Sequence, residues 1–130
     1  MKQFQNMGAQ GDMLIRRVEA VPADAKRIEP EQENFRVLTH SETGAHHTAV
    51  LDRPDGTHGD LAEAGVERFQ DSMNVLRSFL VVPPGKTVKV VHQRPHDTHE
   101  EVSFGAGVWE VIRQREYDIT QSAGWRMAAD

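Results

Sequence analysis

Apolar positions in this chain come in short bursts that alternate with polar ones and are punctuated by Gly, Pro and Asp. Asp12 to Glu19 (DMLIRRVE) carries Met13, Leu14, Ile15 and Val18 and predicts a first strand, closed by the turn Val21-Pro22-Ala23-Asp24. Phe35 to His40 alternates, with Phe35, Val37 and Thr39 on one face, and Ala45 to Leu51 follows after the kink at Thr43-Gly44. Arg53-Pro54-Asp55-Gly56 is turn chemistry, because proline presets φ and Asp and Gly tolerate the later positions. Residues 61–80 carry two patterns. Leu61, Gly65, Phe69, Met73, Leu76 and Leu80 fall near helical spacing, whereas Asp71-Ser72-Met73-Asn74 would turn a hairpin between Val66–Gln70 and Val75–Val82. Gly65 weakens a helix, so the hairpin is favoured. Lys86 to His92, Thr98 to Phe104 and Val108 to Tyr117 complete the set. The expectation is an all-β fold: a small single-domain barrel or sandwich of about six to eight short antiparallel strands. Residues 1–11 read as a flexible or partner-ordered arm and 12–130 as one β-rich domain.

Composition sharpens this picture in two ways. Apolar residues make up 38% and aromatics 6% of the chain, so the core is thin, and stability is expected to draw on a partner surface or on oligomerisation. The formal net charge is −5 with both signs mixed along the chain. Without a basic block, nucleic acid is not an expected partner. There is no cysteine, which excludes disulfides and thiolate chemistry. No stretch approaches the ~20 apolar residues of a transmembrane helix, and MKQFQNMGAQGD has no apolar run of a signal peptide. A membrane partner is therefore not expected, and the cytoplasm is the expected place of synthesis.

Candidate chemistry centres on histidine. All seven lie between residues 40 and 99, and imidazole is both the commonest metal ligand and the proton-transfer group near neutral pH. His46 and His47 are adjacent on a strand and so point to opposite faces. His92, His96 and His99 cross a loop containing Pro95, which argues against the helix that would make their spacing diagnostic. His99-Glu100-Glu101 opens like a metalloprotease helix, but Ser103 stands where the second histidine belongs. Arg113, Arg115 and Tyr117 share one strand face, either as an anion-gripping ladder or paired across the sheet with Glu100 or Glu101. Trp109 and Trp125 are candidate anchors of the core, of the C-terminal tail or of an interface. No phosphate-cradling glycine loop, G-x-S-x-G or calcium-loop spacing appears, and no catalytic residue is assigned.

Gln10-Gly11-Asp12, Thr43-Gly44 with His47, Thr98-His99-Glu100-Glu101 and Arg113-Gln114-Arg115-Glu116-Tyr117 form a pattern across most of the chain. In it the sequence resembles a family of small β-rich proteins of bacteria and bacteriophages. That family carries Q-G-D, T-G-H-x-H, T-H-E-E-H and R-Q-R-E-Y segments in this order and has no established activity. Ala45 and Val102 stand here where the pattern has histidine, so two of four candidate metal ligands are replaced. The resemblance implies a non-enzymatic structural or binding module. Its most concrete form is a virion component, a capsid decoration or cement protein docking on the major capsid protein or on copies of itself, with no cofactor. The alternative is a metal-binding protein or metal-dependent enzyme, with His47, His99 and His46 holding zinc or another divalent transition metal.

Overall fold

The computed structural model describes residues 2–39, 46–92 and 101–113. Among them twelve strands run in chain order: β1 (Lys2–Gln3), β2 (Met7–Gln10), β3 (Met13–Val18), β4 (Lys26–Ile28), β5 (Val37–Thr39), β6 (His47–Asp52), β7 (His58–Gly59), β8 (Glu67–Gln70), β9 (Arg77–Val82), β10 (Val88–His92), β11 (Val102–Phe104) and β12 (Gly107–Arg113). They form two six-stranded sheets, β1-β11-β10-β6-β5 with β7 on β6, and β2-β3-β12-β9-β8-β4. Pairing is antiparallel throughout except between β1 and β11. The sheets do not close into a barrel; the architecture is an all-β sandwich. The strand count exceeds six to eight because β1, β2, β4 and β7, of two to four residues each, add to the strands that the apolar pattern predicts. No helix among the described residues is long and apolar enough to cross a membrane.

Local chemistry explains the connections. Gly11 takes φ 60° between paired Gln10 and Met13, the left-handed geometry that a two-residue hairpin loop requires. Residues 61–80 hold the hairpin, preceded by a single 3-10 turn at Ala62–Ala64; Phe69 of β8 faces Phe79 of β9. Its loop is fixed by Asp71, whose Oδ1 accepts from the Met73 and Asn74 N–H groups at 2.7 and 2.8 Å. Within residues 1–11, read from sequence as an arm, Lys2–Gln3 pairs with β11 and Met7–Gln10 with β3.

The core lies between the sheets. Trp109 is fully buried there, with Phe104 at 4.9 Å and Phe4 edge-on at 5.6 Å between centroids. Ile15, Leu80, Val82, Val88, Val90 and Val111 close around them.

Candidate functional site

Inward-facing positions change character along the sandwich. On β12 they read Trp109, Val111, Arg113; on β9 Val82, Leu80, Ser78; on β6 Leu51, Ala49, His47. One end of the interior is therefore polar. Gln10, His47, Thr39, Arg68 and Ser78 are all buried there. The same end carries Thr39, His46, His92, Glu101 and Arg113, the described residues that flank 40–45, 93–100 and the chain beyond 113.

His47 bridges the two sheets. Its Nδ1 lies 2.7 Å from Gln10 Oε1, and its Nε2 lies 3.4 Å from an Asp12 carboxylate oxygen. Gln10 in turn donates to the Val90 carbonyl at 3.1 Å, and Asp12 accepts from Arg113 Nε at 3.1 Å. Four residues, from Gln10 to Arg113, thus form one chain of contacts. At 3% exposure, with oxygens against both ring nitrogens, His47 links the two sheets. The Q-G-D segment, the histidine of the T-G segment and the first arginine of R-Q-R-E-Y converge here, which adjacency in sequence does not reveal.

Beside this chain lies a cavity of about 230 Å³, lined among others by Asn34, Thr39, Arg68, Gln70, Ser78 and Arg113. Arg68 is fully buried on β8, and burial holds its guanidinium down to about 10, still charged at neutral pH. It donates to the Phe35, Phe79 and Asn34 carbonyls at 3.0, 2.8 and 3.2 Å and to Ser78 Oγ at 3.2 Å. Thr39 Oγ1 is buried without a hydrogen-bond partner.

The outer face of the second sheet is the other unusual surface. Leu14, Val18, Phe69, Val81, Val108 and Ile112 all sit on it half-buried. At its centre Glu110 is 1% exposed and accepts from Arg16 Nε and Arg77 Nε, each at 2.5 Å. Arg77 also lies over the Phe79 ring at 4.8 Å and pairs with Asp71 at 2.9 Å. At the edges Met7, Met73 and Val75 are 61, 89 and 85% exposed.

Of the residues singled out by sequence, the structure brings His47 and Arg113 to one site through Asp12. His46 is half-buried beside His47. Trp109 is in the core, its Nε1 donating to the Gly105 carbonyl at 3.0 Å. His99, Arg115 and Trp125 lie outside the described residues. Arg113 pairs with Asp12, while Glu101 meets Lys89 at 3.4 Å and Glu100, the other partner expected, lies outside the described residues. The reason is register: Arg113 faces Met13, one residue from Asp12. Among the described residues no group of three or more histidines and carboxylates could hold a metal ion. Arg68 was missed; the only signal was a charge at a core-facing position of an alternating strand.

A family model described as a domain of unknown function (DUF8820) matches residues 9–114, a span that contains Gln10, Asp12, His47, Arg68 and Arg113. No curated protein and no solved structure matches the chain.

Proposed function

The chain belongs to the DUF8820 family, and from the surfaces it displays we propose that it is a non-enzymatic docking module that seats on a larger protein assembly. The outer face of the second sheet carries this reading. Strands β9 and β12 are apolar on both sides, with Phe79, Leu80, Val81 and Val82 in one and Val108, Trp109, Val111 and Ile112 in the other. Near-continuous apolar strands belong to sheets covered on both faces. The first sheet covers one face, and a protein partner is the cover proposed for the other. The clamped carboxylate at its centre adds a fixed polar feature around which a partner takes its register.

The bacteriophage resemblance makes the concrete form a virion component, made in the host cytoplasm, that decorates or cements the major capsid protein. The interior placement of His47 supports a module without catalysis. The test is co-sedimentation of the full chain with assembled capsid shells, for wild type and for the Val108→Asp, Ile112→Asp double variant. These side chains point outward, so circular dichroism should be unchanged. An unpaired charge in an interface costs several kcal/mol, so affinity should fall by at least about tenfold. Wild-type protein that stays in the supernatant, or a double variant that sediments as well as wild type, would refute the reading. Self-association without shells, lost in the same variant, would make a second copy the partner instead.

A further inference from the structure

We propose that the cavity at the polar end of the sandwich is a binding site for one small oxyanion, held between the guanidinium groups of Arg68 and Arg113. The proposal is independent of the docking face, which lies on the other side of the second sheet.

Charge is the first argument. Arg68 is fully buried, and its bonds to the described residues all go to neutral oxygens: three carbonyls and the Ser78 hydroxyl. No carboxylate pairs with it among the described residues. An isolated buried cation is costly unless a counter-charge is supplied. Elsewhere this molecule does supply one: the buried Glu110 has two arginines. At Arg68 the space where an anion would sit is instead a cavity.

The described lining supplies hydrogen-bond donors, and the one carboxylate that meets them, Asp12, engages Arg113 from outside that lining. Arg113 reaches Asp12 through Nε, at 3.1 Å, and its terminal nitrogens make no bond among the described residues. Thr39, on the facing sheet, lines the same cavity with an unpartnered hydroxyl. Asn34, Gln70 and Ser78 add neutral polar groups, and among the described residues none that lines the cavity is acidic. Guanidinium forks match the oxygens of carboxylate and phosphate and bond them more strongly than neutral acceptors. At about 230 Å³ the cavity falls below the ~300–1,000 Å³ of pockets for drug-sized ligands. Its occupant is therefore a phosphate or a short carboxylate, free or at the end of a larger molecule.

The test titrates the full chain with inorganic phosphate and, separately, with acetate, each against chloride at matched ionic strength to remove general screening. The readout is the arginine Nε–H resonances in ¹H–¹⁵N spectra. Saturable shifts of Arg68 and Arg113 are expected with at least one probe. A response to phosphate assigns a tetrahedral oxyanion, and a response to acetate alone assigns a planar carboxylate. Arg68→Met deletes four hydrogen bonds, three of them buried, and is expected to unfold the chain, so the decisive variant is Arg113→Gln. Losing a charge-assisted bond should weaken the responding anion by about tenfold or more while the fold is kept. Absence of any saturable shift with both probes overturns the proposal; a carboxylate of the chain itself filling the cavity would give that result. Equal affinity in Arg113→Gln overturns it as well.

Discussion

Glu110 and Arg68 are both fully buried charges, and the molecule treats them in opposite ways. Glu110 receives two guanidiniums at 2.5 Å, from Arg16 and Arg77, which remain partly exposed. Arg68 receives only neutral acceptors. The cost of breaking an ion pair depends on which member is left inside. Removing both arginines strands a buried carboxylate, whereas removing Glu110 returns two guanidiniums to water. The Arg16→Met, Arg77→Met double variant is therefore expected to lose about 3–5 kcal/mol. Glu110→Gln, which keeps a hydrogen-bonding amide in the gap, is expected to lose about 1–2 kcal/mol. Urea denaturation with an unchanged m-value measures both, and the reverse order would contradict this account of the clamp.

The β8–β9 hairpin shows how far an element can be read before its neighbours are known. Its sequence supports a helical spacing and a strand–turn–strand alternation at once. Asp71 decides locally, because its carboxylate accepts from the Met73 and Asn74 N–H groups and pairs with Arg77. Those contacts, the Met73 N–H first, hold the Asp71 carboxyl below its ordinary value. Asp55, through the hydroxyl and N–H of Thr57, and Glu63, through Arg53, are lowered likewise. A carboxyl with a folded pKa below its unfolded one stabilises the fold above the unfolded value, and that contribution is lost as pH falls through the folded value. Tm should thus be flat down to about pH 4, the ordinary carboxylate range, and drop below it. Asp71→Asn should lower the plateau and make the acid-side drop shallower. A drop of unchanged depth would remove Asp71 from the cause.

At the scale of the whole molecule, the N-terminal residues tie the two sheets together. β1 belongs to one sheet and β2 to the other, and between them Phe4 packs on Phe104 and Trp109, at 5.3 and 5.6 Å. In a chain with 6% aromatics, this trio is a large part of the core. Phe4→Ala should lower stability by about 3 kcal/mol, toward the low end for phenylalanine truncation because Phe4 is only partly buried. Thermal unfolding followed by tryptophan fluorescence and by far-UV circular dichroism should shift together. If only the fluorescence transition moved, Phe4 would support Trp109 and not the sandwich.

The strand pattern, the turns and the all-β class were legible along the chain, because alternation and Gly, Pro and Asp chemistry act between near neighbours. β3, β6, β9, β10 and β12 fall where apolar bursts place them. The two-residue strands were not legible, since such pairing is set by the partner and not by the segment's own residues. Nor was the polar end. Gln10, Asp12, His47 and Arg113 were visible as separate motif members, and Arg68 as one charge among many. Only the stacking of two sheets, which turns one face of each strand inward, made the first four a single contact chain and the fifth a buried cation beside a cavity. Burial and counter-charge are properties of the closed interior, and a linear order of residues carries neither.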